Sequence, residues 1–172
     1  MLLYRDILAG DELFSDAYPI TPVDDIAYEV DCAMVTIADG EVDIGANPSA
    51  EGGEEAAEST AQTVNNVIYS FRLSETSFDK KSYMTYIKGY MKSVKAKLAE
   101  TNPERVPVFE AKATTLIKKI LGSFKDYEFY VGESMDPDGM VALLNYREDG
   151  VTPYFTFFKD GLKEEKLHVN YE

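Results

Sequence analysis

Tryptophan is absent from this 172-residue chain, and cysteine and histidine occur once each. Each scarcity removes a class of chemistry. Cys32, having no partner thiol, excludes an internal disulfide and a multi-cysteine zinc site. His168 stands alone, so histidine-based triads and multi-histidine metal centres are excluded as well. No apolar run approaches the roughly 18 residues that a membrane-spanning helix requires, and no membrane insertion is expected. The start of the chain lacks the basic, apolar, then small-residue order of a signal peptide, since Arg5 is followed at once by Asp6. A cytoplasmic protein is the expectation. There is no internal repeat.

A further shortage is regional. Between Asp6 and Phe71 there is no Lys, Arg or His, against 15 acidic residues. From Lys80 to Lys125 the balance reverses, with 11 basic residues opposed only by Glu100, Glu104 and Glu110. The basic segment carries +8 and the remainder −22, giving −14 for the whole chain. Overall acidity argues against direct nucleic-acid binding. A basic arm on an acidic body calls for an acidic protein partner, for charge pairing within the molecule, or for both.

What is present is ordinary globular material, 45% hydrophobic and 12% aromatic, enough for one domain spanning residues 1–172. Short strands are expected at Leu2–Tyr4, Glu12–Phe14, Ala27–Val30 and Ala33–Ile37, punctuated by Gly10, Pro19 and Pro22. From about 39 to 62 the chain is acidic, rich in Gly and Ala and without aromatics, which predicts a flexible acidic loop, with Ile44–Glu51 as a segment that docks. Val64–Phe71 alternates as a strand. A helical hairpin is expected over about 77–122. Tyr83, Tyr86, Ile87, Tyr90, Met91, Val94 and Leu98 form one helical stripe, and Phe109, Ala113, Leu116, Ile117, Ile120, Leu121 and Phe124 form the second. Thr76 or Ser77 is the expected N-terminal cap, Asn102–Pro103 closes the first helix, and Pro107 suits the first turn of the next. Helical hairpin plus flanking strands reads as α+β.

The run from Lys125 to Leu162 is the most distinctive. Tyr127, Phe129 and Val131 alternate with Glu128 and Tyr130 as in a half-buried strand, while Asp136–Pro137–Asp138–Gly139 and Glu148–Asp149–Gly150 are turn chemistry. These words, with Ile44–Gly45–Ala46–Asn47–Pro48–Ser49–Ala50–Glu51–Gly52, Asp11–Glu12–Leu13–Phe14–Ser15–Asp16 and Thr85–Tyr86–Ile87–Lys88–Gly89–Tyr90–Met91–Lys92, cover nearly the whole chain. Together they resemble the translationally controlled tumour protein family. The segments Cys32–Ala33–Met34–Val35 and Val64–Asn65–Asn66 are similar to its fungal members. The resemblance implies a folded-over, mainly antiparallel β-sheet (a β-tent) carrying a long antiparallel helical hairpin and a flexible acidic loop. It further implies a non-enzymatic cytosolic interaction protein tied to protein synthesis and growth. Its implied partners are tubulin and microtubules, the translation elongation machinery and a small GTPase, with cytoskeletal association and weak calcium binding.

Several residues are candidates for that work. Lys80, Lys81, Lys88, Lys92, Lys95 and Lys97 on the first helix, with Lys112, Lys118 and Lys119 on the second, suit an acidic surface such as tubulin's. Glu12 matches the position that the resemblance assigns to GTPase contact. That makes regulation of a GTPase, by nucleotide exchange or dissociation control, the alternative function. The turn Asp136–Gly139 has the look of a calcium-loop fragment, but Gly139 follows Asp138 directly and no closing Glu stands where an EF-hand needs one. No cofactor is expected, and calcium ligands are not assignable. Cys32 reads as a structural thiol. Ser49 and Thr60 are candidate phosphorylation sites in the acidic stretch.

Overall fold

The computed structural model of the chain describes residues 1–38 and 61–167. Ser49, Thr60, His168, the Ile44–Glu51 segment and most of the expected acidic loop lie outside the described residues.

Eleven strands and three helices follow one another among these residues. The strands are β1 (Leu2–Asp6), β2 (Glu12–Ser15), β3 (Ile20–Val23), β4 (Ala27–Asp31), β5 (Met34–Ala38), β6 (Ala61–Asn65), β7 (Ser74–Thr76), β8 (Glu128–Val131), β9 (Ala142–Tyr146), β10 (Pro153–Phe158) and β11 (Leu162–Lys166). The helices are α1 (Asn66–Phe71), α2 (Lys80–Thr101) and α3 (Arg105–Gly122). Every strand pairing is antiparallel. The sheets run β11-β1-β2, β3-β4-β10-β9-β8-β7 and β5-β6. The two larger sheets fold onto each other through aromatic rings. Tyr4 of β1 stacks on Phe14 of β2 at 4.4 Å, and Phe14 meets Phe157 of β10 at 4.4 Å. This is the expected α+β tent with its hairpin.

The hairpin forms for reasons visible residue by residue. Asp79, not Thr76 or Ser77, caps α2. Its carboxylate accepts the Ser82 amide at 2.7 Å while the Ser82 hydroxyl accepts the Asp79 amide at 3.0 Å. Ser74–Thr76 is instead committed to strand β7, which takes Thr76 out of the cap. Asn102 closes α2 and Pro107 sits in the first turn of α3, as expected. Tyr83, Ile87, Tyr90, Val94 and Leu98 are buried against Phe109, Ala113, Ile117 and Ile120 in the shared core. Burying one such side chain contributes about 1.5–3 kcal/mol. The hydroxyls of Tyr83 and Tyr90 are buried with no hydrogen-bond partner among the described residues.

Three further expectations need correction. Val64–Phe71 is not one strand: β6 ends at Asn65, whose side chain accepts the amides of Val67 (2.9 Å) and Ile68 (3.1 Å) and so starts α1. Alternation of apolar residues over so short a span did not distinguish one turn of helix from a strand. The boundary at 62 moves as well, because Ala61 and Gln62 belong to β6. Finally, Asp136–Gly139 is one bend inside a longer β8–β9 connection, not the whole hairpin turn.

That connection is stapled from the other end of the chain. Asp6 is buried, and its carboxylate accepts the amides of Leu8 (2.8 Å) and Met140 (2.7 Å). Asp11 accepts the Ser134 hydroxyl at 2.7 Å and lies against Gly132, where any Cβ would collide with it. Tyr86 of α2 donates to the Gly139 carbonyl at 2.6 Å and accepts the Val141 amide at 3.0 Å. The most distinctive words of the sequence are thus a clamp joining β1, β2, α2 and the β8–β9 connection.

Candidate functional site

The lysines of the hairpin divide into two groups once placed on their helices. Lys88, Lys92 and Lys95 fall at i, i+4 and i+7 on α2, with Lys81 two turns earlier, so they share the helix side turned away from Tyr83, Ile87 and Val94. The stripe extends about 21 Å at 1.5 Å per residue. Lys81, Lys88 and Lys92 are exposed, and no carboxylate among the described residues lies within ion-pair distance of them. Lys95 differs, being paired with Glu110 of α3 at 3.1 Å. Lys80 sits in the first turn of α2, and Lys97 lies on the opposite side of the helix from Lys81. On α3, Lys112 donates to the Asp24 carbonyl at 3.2 Å, while Lys118 and Lys119 are exposed. Lys112 and Lys119 flank a 410 Å³ groove beside Tyr127 and Tyr154. The structure therefore gathers Lys81, Lys88, Lys92 and Lys95 and does not join Lys97, Lys112, Lys118 and Lys119 to them.

Internal charge pairing falls to other residues. Arg105, at the start of α3, grips Asp160 with Nε and one Nη, both at 2.8 Å, and reaches Asp25 with its other Nη at 2.7 Å. Lys159 joins Asp25 as well. Asp25 sits in the β3–β4 turn at φ +58°, and its hydrogen bonds from Lys159 and Arg105 hold its carboxyl down at about 2. The hairpin is thereby bolted to the tent by a guanidinium fork that a lysine could not reproduce. In β9–β10, Arg147 is held by Glu29 and Asp31 and lies 3.9 Å over the Tyr154 ring.

Glu12 begins β2, in the strand expected at Glu12–Phe14. Its exposed carboxylate pairs with Arg5 of β1 at 3.1 Å, and Arg5 also binds Glu165 of β11 at 2.6 Å. A shallow 230 Å³ cleft brings Glu12 together with Asp11, Arg72 and Glu133. Arg72, in the left-handed region at φ +56°, ends α1 and lies 3.7 Å from Glu133. The sequence reading missed Arg72 and Glu133 as neighbours of Glu12, and no local pattern in the chain signals them. Folding alone brings them together.

Cys32 follows β4, is buried, and donates weakly to the Val30 carbonyl at 3.7 Å. Burial pushes its thiol up to about 11, far from a reactive thiolate. Among the described residues no group of three or more His, Cys, Asp or Glu side chains is arranged to hold a metal ion. Asp136 is occupied by the Asp138 amide at 2.9 Å, as a turn residue is. Nor is any described helix long and apolar enough to cross a membrane.

A β-tent bolted to a helical hairpin, with an exposed lysine stripe along the hairpin, defines the class of this protein. The chain belongs to the translationally controlled tumour protein family, whose model matches residues 1–163. It is 70% identical over 168 residues to the translationally-controlled tumor protein homolog of Schizosaccharomyces pombe, covering 97% of this chain and 100% of that one. The Saccharomyces cerevisiae homolog is 62% identical over 167 residues, at 97% and 100% coverage. Among solved structures, the Schizosaccharomyces pombe protein p23fyp superposes with a TM-score of 0.83 at 69% identity, covering 97% of this chain and all of that one. The Caenorhabditis elegans protein superposes at 0.72 with 33% identity, covering 98% and 100%. The names of these relatives state no reaction.

Proposed function

We propose that this protein is a cytosolic interaction protein of the protein-synthesis and growth machinery, and that it binds the acidic surface of microtubules through the outer face of α2. The observation that carries the reading is the partition of charge on the hairpin. Arg105 and Lys95 serve the molecule's own carboxylates and Lys112 a backbone carbonyl, whereas Lys81, Lys88 and Lys92 face outward with no described carboxylate beside them. Three aligned cations on a rigid helix give salt-sensitive attraction to an acidic polymer. Changing Lys81, Lys88 and Lys92 together to Glu should abolish co-sedimentation with microtubules. The same change at Lys97, Lys118 and Lys119 should weaken it less. Equal sedimentation of wild type and the first variant would remove the reading.

A second reading, control of nucleotide release from a GTPase of the translation or growth machinery, is favoured by the cleft that joins Glu12 to Glu133 and Arg72. Its test is the release of fluorescent nucleotide from candidate GTPases and elongation factors in the presence of wild type or Glu12→Ala. Identical release curves would leave this reading without support. Calcium binding, in either reading, is weak and dispersed over surface carboxylates, and phosphorylation at Ser49 and Thr60 tunes the acidic stretch.

A further inference from the structure

A groove of 660 Å³ runs between β7, α2 and the β8–β9 connection, its helix wall of Ser82, Thr85, Gly89 and Ser93 lying alongside the lysine stripe. Phe78, Tyr86, Val131, Met135 and Val141 make its apolar lining. Met135 is 60% exposed and stands in the left-handed region at φ +58°, an unusual conformation for a side chain of its size. Gly89 lies along the helix wall, and a Cβ there would meet nothing within 4 Å. Glycine in a helix interior costs about 1 kcal/mol relative to alanine. Packing does not require it here, so its effect is to keep the wall low.

Beside the groove lies an open sheet edge. β7 pairs only with β8, and among the described residues its outer side has no backbone partner. The register Ser74↔Val131, Glu75↔Tyr130, Thr76↔Phe129 puts Ser74 and Thr76 on the face of the buried Val131 and Phe129. Glu75 is on the other face, with Tyr130. That other face is acidic: Glu75 and Glu128 both bear on Tyr130, whose hydroxyl is pushed up to about 12 by burial and then by these two carboxylates. None of the residues lining the groove is basic, and its charged members are Glu75 and Asp138.

We infer that β7 and this groove form a docking site for an extended segment of a partner protein that alternates apolar and basic side chains. The segment adds to the outer edge of β7 as an antiparallel or parallel strand, with main-chain hydrogen bonds supplying affinity. A basic side chain opposite Glu75 shares the acidic face. Its neighbours on either side, pointing the other way by strand alternation, enter the apolar groove. The low wall at Gly89 and the unbranched Met135 side chain make room for them.

The test uses the full chain and a fluorescein-labelled peptide of alternating valine and lysine, beside a peptide of the same composition arranged in blocks. The alternating peptide should bind saturably, at least tenfold more tightly than the block peptide, and should slow amide exchange across Ser74–Thr76. Gly89→Leu fills the groove without touching the core and improves helix propensity, so it remains folded. It should weaken binding at least tenfold, as should Glu75→Lys, which leaves the groove intact. Equal binding of both peptides would overturn the proposal, because it would mean simple attraction to a −14 chain. Binding indifferent to Gly89→Leu, or protection confined to other residues, would overturn it too. So would self-association of the chain alone that Gly89→Leu abolishes, since the occupant would then be a second copy.

Discussion

The amide of Met140 donates a 2.7 Å hydrogen bond to the buried carboxylate of Asp6, 134 residues away in the chain. Asp6 is further held by the Leu8 amide and lies against Gly139, where a Cβ would strike its oxygen. Burial is the largest influence on this carboxyl and raises it above the usual carboxylate range, with the Met140 and Leu8 amides pulling the other way. The geometry needs an acceptor at both oxygens. Asp6→Asn therefore keeps the shape but turns a donor toward an amide, and should cost about 1–3 kcal/mol in chemical denaturation. In the wild type the raised value means that ionising Asp6 disfavours the fold. Its share of stability is present at low pH and is lost as pH rises through its folded value, which a carboxyl NMR titration would place above about 3.9.

The Arg105–Asp25 pair predicts the opposite slope. Asp25 is held down at about 2, so its contribution is present above the ordinary carboxylate value of about 3.9 and disappears as pH falls from there towards 2. Acid unfolding of Asp25→Asn should therefore lose less stability across that window than the wild type does. Arg105→Met strips Asp160 of its fork and should cost about 3 kcal/mol at neutral pH, since it breaks a largely buried pair. Arg105→Lys should restore only part of this.

Tyr83→Phe and Tyr90→Phe remove hydroxyls that are buried with no partner among the described residues. Each should leave stability unchanged or raise it, by up to about 1–2 kcal/mol, because an unpaired polar group disappears. Tyr86→Phe serves as the contrast. Its hydroxyl holds both Gly139 and Val141, and its loss should destabilise by a similar amount. Thermal melts of the three variants decide the matter.

Cys32 should resist alkylation. With its thiol near 11 and its side chain buried, iodoacetamide at pH 8 should label it only as fast as the protein opens. Rapid labelling of the folded protein would show that the site is more accessible than its packing indicates.

Much of this architecture was legible in the chain because it rests on local periodicity. The stripe from Tyr83 to Leu98 was read correctly because a long helix repeats its pattern several times, and the alternation around Phe129 because buried Phe129 and Val131 flank Tyr130 within β8. Short elements were not legible. β7 has three residues and α1 six, too few for any period to register, and nothing in the Asn65–Asn66 pair marks Asn65 as the cap that starts α1. β3 was hidden by Pro22, which an edge strand tolerates. For the site, the lysine stripe followed from spacing on one helix. Which lysines are already engaged did not, because Glu110 and Asp24 approach from other elements. The Glu12 cleft was half visible for the same reason: a residue can be named from its own neighbourhood, but Arg72 and Glu133 join it only after folding.

The pairing of β1 with β11 carries a consequence for how the molecule comes into being. β1 leaves the ribosome well before β11, its neighbour from Leu2↔Lys166 to Asp6↔Leu162. Until β11 emerges, one flank of β1 has nothing to pair with, and Arg5 lacks Glu165. Long-range pairings of this kind are slow to form and leave strand edges exposed meanwhile. A nascent chain halted just before Leu162 should thus display the open flank of β1, paired only with β2, to holding chaperones, and emergence of β11 should be the step that ends their hold.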